Sequence, residues 1–172
     1  LTLCAPDYAR HHAFLEAAKM SCQAAITYAG RYAALAAEEA EKETDPVRKE
    51  ELRVIAANCG KVPAKPAETF YEACQSFWFV QELLQTESSG HSISPGRFDQ
   101  YMYPYYKKDL DEGRITREAA QELLDCVWVK LNDLNKCRDA GSADGFAGYS
   151  LFQNLIAGGQ DEEGLDVTND LS

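Results

Sequence analysis

The fold of this chain is decided by one stretch, SFWFVQELLQTESSGHSISPGRFDQY, which runs from Ser76 to Tyr101. Its first half places apolar side chains in almost every direction around a helix, so we predict a helix from about residue 67 to 86 whose faces are all covered by protein. An isolated bundle of three helices could not cover them. The following residues, Ser88 to Ser94, are therefore expected deep in the fold, lining an interior cavity.

Further helices are predicted on both sides of this stretch. Before it, apolar residues at three- and four-residue steps predict a long helix over about 8–43, with a face of mostly small side chains. A second helix begins at Asp45-Pro46, runs to about Asn58 and stops at Gly60, ahead of an extended connector over 61–66. After it, an aromatic helix spans about 98–110, and Thr116 caps another helix. From Phe146 onward the pattern is more strand-like, so the fold class is mainly α with few short strands.

The charge and cysteine patterns exclude several functions. Seventeen basic against twenty-eight acidic residues give a net charge of −11, which would repel nucleic acid and an anionic membrane surface. The six cysteines contain no CxxC pair, and the adjacent His11 and His12 point in directions about 100° apart on a helix. We therefore expect no metal site, buried free thiols, and a reducing cytoplasmic location.

The strongest candidates for chemistry are His91 and Ser92. Gly90 allows unusual backbone dihedrals beside them, and four serines follow a dry helix within a few residues. An imidazole can donate or accept a hydrogen bond and pass a proton near neutral pH. The residue pattern alone favours a bracing role for His91 in the turn over a role in a pocket.

Other residues in this region have structural interpretations. Arg97 and Asp99 predict a salt bridge that pins the turn, with an anion-binding role for Arg97 as the alternative. Gly158-Gly159 predicts a turn rather than a phosphate site, because a run of carboxylates follows it. The three aromatic residues Phe146, Tyr149 and Phe152 are either core or the wall of a pocket.

A family resemblance is carried by the motif GHSISPGRFDQY within 66–116, by LLDCVWVKLNDLNKCRD, and by GYSLFQNLIAGGQDEEGLDVTNDLS at the end of the chain. Over essentially its whole length the chain resembles the glycyl radical enzymes of the pyruvate formate-lyase-like family. The resemblance implies an α/β barrel of ten strands, built from two five-stranded halves, with the chemistry inside it. Residues 1–172 would then be an internal segment of that single barrel domain.

The resemblance also implies a cofactor and partners. In this family a glycyl radical near the C-terminus generates a thiyl radical on a cysteine. An activating enzyme with S-adenosylmethionine and an iron-sulfur cluster installs the glycyl radical. The family's Gly-Cys-x-Glu and C-terminal glycine contexts are not among these residues. We therefore assign the thiyl radical to none of the six cysteines and expect no cofactor bound in this segment. The longer enzyme is expected to be a homodimer, and this segment alone is expected to show no turnover.

His91 and Ser92 indicate the branch of the family. Pyruvate formate-lyases carry small alanines at these positions, whereas the branch similar to glycerol dehydratase uses such a pair to hold substrate hydroxyls. The resemblance thus implies a radical eliminase that removes water from a small hydroxylated substrate such as a polyol, with His91 and Ser92 as catalytic and substrate-binding residues and Phe152 as an aromatic lining the pocket. The alternatives are a keto-acid formate-lyase (formate acetyltransferase-like), a radical decarboxylase, or a non-catalytic helical interaction module.

Overall fold

A computed structural model describes residues 7–88, 91–134, 139–146 and 152–172 of the chain. In these ranges the chain forms six helices: α1 (Tyr8–Lys42), α2 (Pro46–Lys61), α3 (Phe70–Glu87), α4 (Phe98–Asp111), α5 (Arg117–Asp133) and α6 (Ala140–Phe146). The chain divides into two compact units, which meet between Pro66 and Ala67 along the sequence. The mainly helical class predicted from the sequence is confirmed.

The first unit is a hairpin of α1 and α2. Its buried apolar side chains are short, and they include Ala29 and Ala40, each 1% exposed. The carboxylate of Asp45 accepts from Val47 N at 2.9 Å, so the predicted cap of α2 is confirmed. Gly60 does not stop this helix, which continues to Lys61. A Cβ at Gly60 would lie 3.9 Å from the Cβ of Ala33 in α1, an ordinary contact distance.

The end of α2 lies at Lys61, two residues before a proline. Pro63 has no N–H and cannot continue a helix, which accounts for the end there. The residues after Lys61 form turns, with Lys65 N donating to Lys61 O at 2.9 Å, instead of the predicted extended connector.

The second unit begins with a well-anchored helix. In a capping box, Thr69 Oγ1 accepts from Glu72 N at 3.2 Å, and Glu72 Oε2 accepts from Thr69 N at 3.3 Å. Phe70 N donates to the buried carboxylate of Asp109 at 2.6 Å, and Arg114 donates to the other oxygen of Asp109 at 2.8 and 2.6 Å. Caps and a buried ion pair therefore fix where α3 starts, three residues later than predicted.

The core of this unit is built from α3, α4 and α5. Its buried members are Phe70, Ala73, Cys74, Phe98, Met102, Tyr106, Ala120, Leu124 and Val127. The rings of Phe70 and Tyr106 meet edge to face with centroids 5.6 Å apart, a favourable arrangement for aromatic pairs. Thr116 caps α5 as predicted, accepting from Ala119 N at 3.2 Å. In the predicted buried stripe of α5, Leu123 is only half-buried, and the neighbouring Leu124 takes the core position.

Within this chain α3 is covered incompletely, because Val80 is 45% and Leu84 is 42% exposed. The prediction that protein covers all of its faces therefore depends on residues outside the chain. The prediction of short strands is wrong for the described residues. The described part of the chain contains no strand, only isolated bridges that join Gly96 to Leu155 and Gln160 to Asp166.

None of the described helices is both long and apolar enough to cross a membrane.

Candidate functional site

The candidate site lies on two segments that run side by side, residues 91–97 after α3 and residues 152–158; we call them the paired loops. Gly96 joins their backbones, because its N–H donates to Asn154 O at 3.2 Å and its carbonyl accepts from Ile156 N at 2.8 Å. Ser94 Oγ adds a second connection, donating to Phe152 O at 3.4 Å and accepting from Asn154 N at 3.2 Å.

The paired loops bring together the three site residues predicted from the sequence. The rings of His91 and Phe152 lie edge to face, with centroids 6.4 Å apart and an interplanar angle of 71°. Ser92 follows His91 directly, and all three side chains are exposed, Phe152 by 44%. The deep position expected within a larger barrel stays a prediction. Within this chain the imidazole, the hydroxyl and the ring are all accessible to solvent.

Two of these residues have an uncommon backbone conformation. The φ angles are 58° at Ser92 and 55° at Phe152. These values lie in the left-handed region, which residues other than glycine and asparagine seldom adopt. Such a conformation costs of order 1–3 kcal/mol per residue and persists only where the surrounding contacts hold it. The sequence analysis placed unusual dihedrals at Gly90, which lies outside the described residues.

Two buried glutamines of α3 hold the paired loops together with Gln153 of the second loop, and none of the three was predicted as a site residue. Gln81 and Gln85 on α3 are 4% and 2% exposed, and both donate to Ile93 O. Gln81 also donates to Gln153, which itself donates to Leu131 O at 3.0 Å. The only hint in the sequence is that Gln81 and Gln85 are four residues apart, and so lie on one face of a helix with many apolar residues.

Asp99 fixes the far end of the paired loops. Its carboxylate is 1% exposed and accepts from Gly158 N at 2.6 Å and from the hydroxyl of Ser172. Burial alone would raise the pKa of Asp99, but these hydrogen bonds favour the charged form and lower its pKa below the usual value. The predicted salt bridge with Arg97 is wrong among the described residues, since backbone and hydroxyl donors take its place.

Gly158 and Gly159 bend the chain, with φ angles of 65° and 96°. A side chain at Gly158 would come within 2.9 Å of Thr168 Oγ1, so the close approach requires glycine there. Tyr101 closes the other loop, donating from its hydroxyl to Pro95 O at 3.1 Å. Burial raises the pKa of Tyr101 to about 12, so this hydroxyl keeps its proton at neutral pH.

The cysteines do not contribute to the paired loops. Cys59 and Cys74 are buried, and burial raises the pKa of both thiols, that of Cys74 to about 12. Cys22 and Cys126 are exposed, so the prediction of buried thiols is wrong for these two. Cys4, Cys137, Tyr149 and the side chain of Phe146 lie outside the described residues. Within the described ranges, no cluster of three or more metal-binding side chains occurs.

The arrangement suits a small molecule that carries hydroxyl groups. The imidazole of His91 offers one donor and one acceptor in its neutral form, and the hydroxyl of Ser92 can do both. The edge of Phe152 gives an apolar contact beside them. The paired loops can therefore hold a small polar molecule by its hydroxyls on one side and by its carbon skeleton on the other.

Comparison with solved structures finds close matches. A structure from a study of 1,2-propanediol dehydration in Roseburia inulinivorans is 68% identical with a TM-score of 0.95, and the match covers 99% of this chain and 22% of that one. The glycerol-bound B12-independent glycerol dehydratase of Clostridium butyricum is 53% identical with a TM-score of 0.91, over 98% of this chain and 21% of that one.

Among curated relatives, the isethionate sulfite-lyase of Oleidesulfovibrio alaskensis is 45% identical over 168 residues, which are 96% of this chain and 20% of that protein. The chain thus spans about a fifth of the length of the relatives that it matches. The model of the family described as pyruvate formate lyase-like matches residues 1–172. This chain therefore belongs to the pyruvate formate lyase-like family, as the motif around His91 predicted.

Proposed function

We propose that this chain is an internal part of a glycyl radical eliminase that removes water from a small hydroxylated substrate, such as a vicinal diol or another polyol. The observation that carries the proposal is the grouping of His91, Ser92 and Phe152 on the paired loops. The similarity to structures described for 1,2-propanediol dehydration and glycerol dehydration supports it.

In this proposal His91 and Ser92 act on the hydroxyl groups of the substrate. Elimination of water requires a proton at the departing oxygen, and the protonated imidazole of His91 can donate it. Ser92 orients a hydroxyl by donating or accepting a hydrogen bond. Phe152 limits the site on its apolar side, which favours a small carbon skeleton over a bulky one.

A glycyl radical in the longer enzyme would supply hydrogen abstraction from the substrate. The described thiols do not fit the role of its relay, because Cys59 and Cys74 are buried away from solvent and no cysteine lies in the paired loops. We assign the radical cysteine and the radical glycine to parts of the enzyme outside these residues. This chain contributes binding and proton transfer.

The proposal extends to the whole enzyme. Val80 and Leu84 on α3 are apolar and exposed in this chain. Their exposure supports a longer enzyme in which further protein covers this helix, as in a ten-stranded α/β barrel. The partners would be an activating enzyme that uses S-adenosylmethionine and an iron-sulfur cluster, and a second copy of the enzyme. The location would be the cytoplasm.

A second candidate reaction is the elimination of sulfite from a hydroxysulfonate. It is favoured by the 45% identity to an isethionate sulfite-lyase over nearly the whole chain. The two reactions differ in the leaving group, so the same paired loops would serve either. A formate-lyase or a decarboxylase would instead need recognition of a carboxylate, and the similarity to structures described for diol and glycerol dehydration favours elimination over both.

The test uses the full-length enzyme, activated anaerobically, with the glycyl radical quantified by electron paramagnetic resonance. We expect dehydration of 1,2-propanediol or glycerol by the wild type, and a fall in kcat/KM of about a hundredfold or more in His91→Ala, the range typical for loss of a general acid. His11→Ala, an exposed histidine on α1, is the matched control and should keep full activity. Unchanged dehydration kinetics in His91→Ala would remove this residue from the mechanism. Turnover of a hydroxysulfonate, a keto acid or an arylacetate alone would replace the proposed reaction.

A further inference from the structure

Gln81 has an unusual position beneath the paired loops. Its side chain lies on α3 and is 4% exposed. The amide nitrogen donates to Ile93 O at 2.8 Å and to Gln153 Oε1 at 2.9 Å. An amide nitrogen carries two hydrogens, so both are used, one on each of the paired loops.

The two acceptors follow directly after the two strained residues of the site. Ile93 follows Ser92, where φ is 58°, and Gln153 follows Phe152, where φ is 55°. Each left-handed conformation opposes folding by itself and needs contacts on its flanks to persist. The two hydrogens of Gln81 supply such a contact on the C-terminal flank of both residues.

The partner of Gln81 is itself held in place. Gln153 Nε2 donates to Leu131 O at the end of α5 at 3.0 Å, which directs its oxygen towards Gln81. The chain of hydrogen bonds thus runs from α3 through both loops to α5. Both helices contribute buried residues to the core of this unit, so the loops are bonded to two elements of that core.

Gln85 provides a natural comparison. It lies one helical turn after Gln81, is equally buried, and donates to the same Ile93 O at 3.2 Å. Its own oxygen has no hydrogen-bond partner, and no described contact joins it to residues 152–158. Gln85 therefore holds one loop, whereas Gln81 holds both.

We propose that Gln81 is a positioning residue, which fixes the spacing between Ser92 and Phe152 so that one substrate meets both. The assignment rests on the proposed function of the paired loops. It adds a residue that does not touch the substrate and determines how well the site fits it. A misplacement of about 1 Å at such a site can lower the rate by about a hundredfold.

The first test measures the loops and needs no turnover. Hydrogen exchange of the full-length protein, followed by mass spectrometry, compares Gln81→Met with Gln85→Met; both remove a buried amide with little change in shape. We expect Gln81→Met to speed exchange about tenfold in peptides covering both 91–97 and 152–158, including the amides of Gly96 and Ile156. Gln85→Met should affect 91–97 alone. Equal effects of the two variants on 152–158 would overturn the proposal.

The second test measures the substrate. We expect kcat/KM for the diol to fall about tenfold or more in Gln81→Met and less than threefold in Gln85→Met, although both variants lose similar thermal stability. Gln153→Met removes the same hydrogen bond from the other partner, and it replaces Gln81→Met if that variant does not fold. The double variant Gln81→Met/Gln153→Met should lose less than the sum of the two single variants, because one of the bonds that each removes is the same bond.

The outcomes separate the two proposals. A wild-type enzyme that does not dehydrate any hydroxylated substrate would overturn the proposed function, while the exchange experiment would still decide whether Gln81 joins the loops. An active wild type with unchanged kcat/KM in Gln81→Met, or additive effects of Gln81→Met and Gln153→Met, would overturn the role of Gln81 alone.

Discussion

The first unit and the second unit bury very different side chains. Between α1 and α2 the buried apolar residues are mostly alanines, such as Ala29, Ala36 and Ala40. The second unit buries Phe70, Phe98, Met102 and Tyr106 instead. Short side chains let two helices approach closely but remove little apolar area from water, whereas each aromatic side chain buries about 150–250 Å². The loops that carry His91 and Ser92 are attached to the second kind of core.

The contrast extends along α1. The described residues of this helix before Ala29 include no buried one, and Phe14 and Met20 are each 70% exposed. The periodicity of apolar residues therefore predicted the helix correctly without predicting what covers it. Three experiments test this difference between the units, and the first has the largest expected effect.

Phe98→Ala should destabilise the chain by about 3–5 kcal/mol, because a buried phenylalanine leaves a cavity in a packed core. Phe98 is 2% exposed. The matched change Phe14→Ala in the first unit should alter stability by about 0.5 kcal/mol or less, as expected for an exposed site. Urea unfolding followed by far-ultraviolet circular dichroism measures both. A similar loss in the two variants would contradict the difference between the cores.

Asp99→Ala should cost about 1–3 kcal/mol, since it leaves the buried N–H of Gly158 without its acceptor. Asp45→Ala, the helix cap of the first unit, should cost about 1 kcal/mol. The pKa of Asp99 is lowered in the folded chain, so its contribution is complete above the ordinary pKa of about 3.9 and is lost as the pH falls through the lower folded value. Urea titrations between pH 7 and pH 2 measure this. A wild type and an Asp99→Ala variant with parallel pH profiles would show that the carboxylate is not held in its charged form.

The third experiment labels the cysteine thiols and substitutes no residue of the chain. Among the residues that the structure describes, each unit has one buried and one exposed cysteine: Cys59 and Cys22 in the first, Cys74 and Cys126 in the second. Burial raises the pKa of Cys59 and Cys74, so at pH 8 both should react with a disulfide reagent at least about a hundredfold more slowly than the exposed pair. Mass spectrometry of the labelled peptides identifies each site. Rapid labelling of Cys74 in folded protein would show that the aromatic core opens readily.

The features predicted correctly from the sequence are local ones. Asp45 and Thr116 were identified as helix caps because a cap acts on residues two or three positions away. Gly60 was misinterpreted as the stop of α2, because the helix continues to Lys61 and ends ahead of Pro63. Asp99 was assigned to Arg97, two residues away, although its partners are Gly158 and Ser172.

The candidate site shows the same division. The family motif marked His91 and Ser92, and the aromatic position marked Phe152, all of which lie on the paired loops. Gln81 and Gln153 were not identified, because their amides contact each other across 72 positions of sequence and nothing beside either residue shows that partner. A residue within a family motif can be identified from the sequence. A residue that positions another side chain can be identified only from contacts between distant parts of the chain.

The left-handed conformations of Ser92 and Phe152 have a consequence for protein engineering. Glycine adopts φ near 55° or 58° without a penalty, so selection of this chain for heat resistance alone would favour glycine at both positions. The same replacements would delete the hydroxyl and the ring. Libraries screened for thermal tolerance alone should therefore lose the two side chains to which the proposed function assigns substrate contacts.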